Sequence, residues 1–253
     1  MRKLWLPIAS VLLSCALGMG TAQAELPPGY RVVLLTENFP PFNMAVDDKN
    51  FARDEAIDGI STDLVREMFK RAGIDYSLSL RFPWDRLYNL TLESPNYGLF
   101  SVSRTEARGP LFKWVGPLGK TRKVLMALPG STIRVPDLAA AAKLRVGAYK
   151  NSAVSQMLKD KGVVASEVLR DQENIARLQK NEIDVWATTD VVGRYLAKQQ
   201  GVSNLQTLLS FQESDLYLAL NKDTPDEVVT RLQQALDAMR QEGVVDSITR
   251  NYL

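Results

Sequence analysis

Ser101 and Ser103 stand two positions apart at the end of an apolar run that begins at Tyr97, and Arg108 follows after Arg104-Thr105-Glu106-Ala107. In an extended strand, residues two apart share a face, so both hydroxyls are expected to point the same way, with the arginine brought back over them by a turn. A guanidinium fork matches a carboxylate bidentately, and hydroxyls with free backbone N–H groups complete such a cradle. In open α/β sheets the C-terminal end of a strand is also where ligands bind. The chemistry these residues suit is the binding of a small carboxylate. The plainer readings are a surface arginine in an exposed ion pair and serines that close off a strand.

Other chemistries are ruled out by composition. The chain has no histidine, and Cys15 is its single cysteine. A zinc site of the usual His/Cys kind is excluded, as are Ser-His-Asp and Cys-His catalytic groups. Carboxylate, lysine and tyrosine chemistry remains open, with Glu37 and Asp190 as the acids to consider. No cofactor or metal is expected.

The 253 residues, 45 % hydrophobic and 24 % charged, are enough for two small globular units. Arg2 and Lys3, an apolar run from Leu4 to Leu17, and Ala22-Gln23-Ala24 read as a secretory signal cleaved after residue 24. The alternative is a lipid anchor on Cys15, because Leu12-Leu13-Ser14-Cys15 loosely resembles a lipoprotein box. Cleavage removes two of the 31 basic residues and none of the 29 acidic ones. The expected mature chain is therefore formally neutral, which gives no nucleic-acid signal, and it has no cysteine to form a disulfide.

The elements that must hold the serines and the arginine follow from periodicity. Tyr30 to Leu35 reads as a strand, Thr36 to Phe42 as a loop and Asp47 to Asp58 as a polar surface loop. A helix starts at Ser61 or Thr62 and ends at Gly73. Tyr76 to Leu80 is a strand, Pro83-Trp84-Asp85-Arg86 opens a helix, and Tyr97 to Ser101 is a strand again. This is the rhythm of an α/β unit with parallel strands. The rhythm restarts with strands at Lys123–Leu128, Leu144–Tyr149, Glu167–Leu169 and Ile183–Ala187, and with helices from Ser152, from Asn174 and from Val191. Tyr217–Leu220 is a further strand. Thr224, Pro225 and Glu227 read as cap, first residue and capping-box acid of the last long helix.

In order and spacing, these marks resemble the bacterial extracellular solute-binding proteins of family 3, the polar amino-acid receptors of ABC importers. The resemblance runs from Tyr30 to Leu253. It rests on the strand before Pro41-Phe42, Gly59 to Leu64, Pro83 to Arg86, Ser-x-Ser-x-Thr-x-x-Arg at residues 101–108, Trp114 to Pro117, Leu144 to Gly147, Ile183-Asp184 and Met239 to Gly243. It implies an α/β, two-lobed Venus-flytrap fold (periplasmic binding protein-like type II) with two crossover hinge strands. Residues 25–119 and 213–253 would form one lobe and 120–212 the other.

The resemblance also implies roles. Arg108 would bind a ligand α-carboxylate, and Ser101 and Ser103 its ammonium and carboxylate. Asn151-Ser152-Ala153 would bring a helix N-terminus from the second lobe, and Glu37 and Phe39 would line the side-chain pocket. An inward Glu37 would favour a ligand with a second positive group. Trp84 is either a ligand platform or helix-start packing; Trp114 is expected in the core. Two departures stand out. Ala153 replaces the family's usual threonine, and the ammonium-binding acid is absent at Thr189, with Asp190 one residue later able to replace it only through a loop shift.

The function this implies is a monomeric periplasmic receptor that closes on a small polar, amino-acid-like solute and hands it to a membrane permease, without chemistry and without nucleic acid. The alternatives are a dehydratase-like enzyme on the same fold and a free-standing sensor.

Overall fold

The computed structural model of the chain describes residues 26–47 and 49–252. The expected signal segment and Cys15 lie outside them. The described strands are β1 (Arg31–Thr36), β2 (Met44–Ala45), β3 (Ala52–Arg53), β4 (Ile57–Asp58), β5 (Asp75–Leu80), β6 (Tyr97–Ser103), β7 (Lys113–Ala127), β8 (Val146–Tyr149), β9 (Ala165–Val168), β10 (Val185–Thr189) and β11 (Gln206–Leu220). The α-helices are α1 (Ile60–Ala72), α2 (Trp84–Glu93), α3 (Ala153–Asp160), α4 (Glu173–Gln179), α5 (Asp190–Gln199), α6 (Asp226–Gln241) and α7 (Val244–Arg250).

Nine strands form one sheet in the order β3-β5-β1-β6-β11-β7-β10-β8-β9, while β2 and β4 pair separately. On one flank β1 runs parallel to β5 and β6, and on the other β8 runs parallel to β9 and β10. Each flank is a strand-helix-strand unit, as the sequence rhythm predicts. Between them β7 and β11 run antiparallel, each 15 residues long. At about 3.3 Å per residue such a strand spans roughly 50 Å, enough to belong to both flanks.

Only part of each long strand is expected from the sequence. Gly116-Pro117 reads as a breaker, and Gln212 to Asp215 is polar. The ladder absorbs both through irregularities. Leu216 faces Gly119 and Leu218 faces Val115, so Gly116, Pro117 and Leu118 lie opposite Tyr217 alone. A bulge of this kind tolerates a proline that has no N–H to donate. Gly116 has φ 156°, and a Cβ there would lie 2.5 Å from the Tyr217 ring. Only glycine fits.

Alternation along β1 shows how the first flank is filled. Val32 and Leu34 join the core under α1 and α6, and Leu35 faces the smaller cluster with Leu87, Leu99 and Val102. Helix α1 buries Leu64, Val65, Met68 and Phe69, each worth about 1.5–3 kcal/mol on transfer from water. Its N-cap, Gly59, lies two or three residues before the expected Ser61 or Thr62, which are buried inside the first turn. Gly73 ends it in the left-handed conformation. The second flank has its own cluster, with Val146, Ala148, Val154, Leu158 and Val185.

Two further expectations are corrected. The polar stretch 47–58 is not simply a surface loop: Ala52–Arg53 adds an edge strand to β5, and Ile57–Asp58 pairs with Met44–Ala45. The last long helix has Pro225 at its N-cap without a side-chain cap, and Glu227 reaches forward to Arg231 at 2.6 Å instead of back. Among the described residues no helix is long and apolar enough to cross a membrane.

Candidate ligand-binding cleft

A cavity of about 70 Å³ lies where the two flanks meet, at the end of β6 and beside the middle of β7. Its first wall is a β-bulge. Tyr217 pairs with Val102 and Ala219 with Leu99, so Phe100 and Ser101 together oppose Leu218. Ser101 takes φ 62°, a left-handed conformation that is uncommon for a residue with a side chain and recurs at functional sites. The bulge lets Leu99 and Val102 bury in one cluster three residues apart while Ser101 and Ser103 both line the cavity. Ser101 and Ser103 share a side as their two-residue spacing predicts, and the bulge breaks the alternation only at Phe100 and Ser101. The Ser101 hydroxyl donates to Asn43 Oδ1, and Asn43, fully buried, donates its Nδ2 to the Glu37 carbonyl.

Arg108 lies over this wall. The ring centroids of Trp84 and Tyr88 lie 5.3 and 5.4 Å from its Cζ, within cation–π range. Its Nη1 donates to the Ser103 carbonyl at 3.5 Å and its Nη2 to the Asn151 carbonyl at 3.2 Å. Among the described residues it makes no ion pair. Burial holds its pKa below the usual arginine value, against the opposing influence of Tyr88 and Glu37. Trp84 lines the same cavity and is 8 % exposed, so it serves packing and cavity wall together.

The second flank supplies the opposite wall. Ser152 caps α3, its Oγ accepting from the Ser155 N–H at 3.1 Å, and Ala153 is the first helical residue. Both line the cavity. Tyr149, at the end of β8, bridges the flanks: its hydroxyl donates to Glu37 Oε2 at 2.5 Å and accepts from the Trp84 N–H at 3.4 Å. Glu37 is 9 % exposed and lines the cavity with Phe39. Burial pushes its carboxyl up to about 8; the Tyr149 hydrogen bond and Arg108 oppose this, and the charges of Asp171 and Asp85 add to it.

Three polar cavity residues are not singled out as site residues by the sequence: Asn43, Tyr149 and Lys123. Lys123 lies on β7, 2 % exposed, its ammonium donating to Gln212 Oε1 at 2.7 Å and to Ser214 Oγ. Burial, with the charge of Arg108 second, lowers its pKa to about 8. The available signal was strand alternation, because Lys123 shares a face with Leu125 and is flanked by the exposed Arg122.

Asp190 is the residue the structure does not bring to the cavity. It opens α5 and is held between Arg122 at 2.6 Å and Arg194 at 2.9 Å. Partial burial pushes its pKa up, but the two guanidinium groups outweigh burial and leave it below the ordinary carboxylate value. Thr189 lines the cavity instead, with its buried hydroxyl unpartnered among the described residues. The loop shift that would return the acid to the site does not occur, because Thr189 is fixed as the last residue of β10, paired with Lys123.

A larger cavity of about 230 Å³ adjoins the first, sharing Glu37, Phe39 and Tyr149 with it. Its other acid is Asp171, which accepts from Trp186 Nε1 and Thr188 Oγ1, each at 2.7 Å. Burial raises Asp171 to about 6 against those hydrogen bonds. Among the described residues no group of three or more His, Cys, Asp or Glu is placed to hold a metal ion.

Comparison with known proteins agrees with this architecture. Residues 32–253 match the sequence profile of the bacterial extracellular solute-binding proteins, family 3. No curated protein sequence is significantly similar to the chain. Among solved structures, the arginine-, lysine-, histidine-binding protein ArtJ from Geobacillus stearothermophilus superposes with a TM-score of 0.74 at 18 % identity, covering 88 % of this chain and 95 % of its own. The GluR0 ligand-binding core from Nostoc punctiforme in complex with L-glutamate gives 0.74 at 19 %, covering 88 % and 99 %. A histidine kinase sensor domain with similarity to periplasmic binding proteins gives 0.78 at 16 %, covering 88 % and 96 %. At these identities the likeness establishes the fold, a mixed α/β periplasmic binding protein-like type II architecture.

Proposed function

Because the chain belongs to the bacterial extracellular solute-binding proteins of family 3, we propose that it is a periplasmic receptor that captures a small amino-acid-like solute between two lobes and delivers it to an ABC importer, with no chemical step. The observation that carries this reading is Arg108. Its half-buried guanidinium, with five donors, meets two carbonyls among the described residues, at 3.5 and 3.2 Å, beside the Trp84 and Tyr88 rings, and lines a cavity at the meeting of the flanks. A buried cation without an anion is costly, and a ligand carboxylate removes that cost bidentately.

The remaining groups fit the same ligand. The α3 N-terminus with Ser152 and Ala153 faces the cavity and suits an anion. Ser101 and Ser103 supply hydroxyls, and Glu37 is the one acid among the cavity residues that can receive a ligand ammonium. Residues 25–119 and 213–253 would act as one lobe and 120–212 as the other, hinged on β7 and β11. Ligand contacts from both sides, added to those of Tyr149 with Glu37 and of Arg108 with Asn151, would favour the closed arrangement by population shift. The basic start, apolar run and Ala22-Gln23-Ala24 support export.

The test is a thermal-shift screen against the standard amino acids, polyamines and small dicarboxylates, with mass spectrometry of the recovered compound. A ligand at about 100 times its Kd adds roughly 2.7 kcal/mol. A raised Tm with unaltered compound supports the receptor. Turnover of the compound would move the reading to an enzyme, and silence across all the amino acids would remove the amino-acid receptor.

A further inference from the structure

The charges that line the inner cavity are two cations and one acid: Arg108, Lys123 and Glu37. Lys123 is the unexpected member. An ammonium at 2 % exposure is ordinarily matched by a carboxylate, yet both of its acceptors, Gln212 Oε1 and Ser214 Oγ, are neutral. It makes no ion pair among the described residues. Two of its three N–H donors are taken, which leaves the third for a group in the cavity. Its ladder partner on β10 is Thr189, whose hydroxyl is buried, lines the same cavity and has no partner among the described residues. One N–H of Lys123 and the hydroxyl of Thr189 thus have no partner among the described residues, and both residues line the cavity.

Resting on the receptor reading above, we infer that the solute is an amino acid with a second acid group, whose side-chain carboxylate is received by Lys123 and Thr189 while Arg108 takes the α-carboxylate and Glu37 the ammonium. The charge count selects this class. A cationic amino acid would bring a second positive group into a cavity that already holds two. A neutral one leaves Lys123 uncompensated. An acidic one places two negative groups and one positive group against two cations and an acid. Glu37 is thereby assigned to the ammonium common to all amino acids and does not select a basic side chain. Its hydrogen bond with Tyr149 leaves its other carboxylate oxygen for that contact.

The experiment is calorimetric titration of the purified full-length secreted protein with L-glutamate and L-aspartate, each against its own amide, L-glutamine and L-asparagine, and with L-arginine and L-lysine. The wild type is expected to bind one acid at least about ten-fold more tightly than its amide, the effect of one charge-assisted hydrogen bond. Lys123→Met is expected to bring that ratio close to one, and Lys123→Arg to retain the preference. An amide or a basic amino acid bound as tightly as the acid by the wild type overturns the inference and leaves the receptor reading intact. So does an undiminished preference in folded Lys123→Met. Absence of binding by every amino acid overturns the receptor reading itself. If Lys123→Met does not fold, the wild-type ratio of acid to amide still decides.

Discussion

Two clusters, each of two basic residues and one acid, lie on either side of the β7–β10 ladder. On the outer side Asp190 sits between Arg122 and Arg194, each ion pair under 3 Å. On the inner side Arg108, Lys123 and Glu37 line one cavity without pairing with one another. The outer acid is ion-paired on both sides near solvent, where ion pairs contribute little. The inner charges are held out of water by the Trp84, Tyr88 and Phe39 rings and by the sheet, with carbonyls and neutral side chains as their partners. Residue type does not separate the two clusters. What separates them is whether the protein pairs them with a counter-charge; under the proposed function that part is left to the ligand.

The largest effect should come from the inner cluster. Arg108→Ala is expected to weaken the ligand returned by the screen by about 3–5 kcal/mol, because it strands a buried carboxylate; titration calorimetry measures this. Unchanged affinity would break the contrast at once.

Glu37 gives a second test through pH. Its folded pKa, about 8, lies above the unfolded value of 4.5. The folded state therefore holds the proton more tightly, and its contribution to stability is complete below about pH 4.5 and lost as pH rises through 8. The ligand-free protein should lose on the order of a few kcal/mol over that window, with Asp171 acting in the same direction at the lower end. Glu37→Gln should flatten most of that slope in melting curves recorded from pH 4 to 9. An equally steep slope in the variant would mean that the acid is not the group held protonated.

Tyr149→Phe removes one hydroxyl that serves both flanks, and should lower Tm by the equivalent of about 1 kcal/mol. Asp190→Asn should do least: up to about 1 kcal/mol of stability and no change in ligand affinity, read in the same titrations. A large loss of affinity in Asp190→Asn would return that acid to the site and erase the difference between the clusters.

Much of this arrangement is legible in the sequence because it depends on local chemistry. Ser152 caps α3 as its type and position suggest, and Gly73 ends α1 by the left-handed turn only glycine enters freely. The serines and Arg108 share the cavity as their spacing suggests, although by a bulge that no residue in β6 announces. What could not be read depends on distant partners. The first half of β7 hides behind Gly116-Pro117, which is tolerable only because β11 offers an irregular ladder opposite. Asp190 reads as a cleft acid until Arg122, 68 positions earlier, is known to lie beside it. Lys123 reads as one basic residue in a basic run until β10 and β11 close over it.

The order in which the sheet is sewn has a consequence for assembly. Strand β6, within residues 97–103, finds its neighbour on the centre side of the sheet only in residues 216–220, and α6, which follows β11, packs against α1. Everything between, including β8, β9 and β10 with their helices, forms from one continuous stretch. The flank begun first is therefore finished last. Until β11 arrives, it carries an open edge and an apolar face, the two features most prone to wrong pairing. Such distant contacts are slow to form because the loop-closure entropy is lost before they can stabilise anything. On contact-order grounds, the return of the chain's end is the step expected to set the rate of maturation.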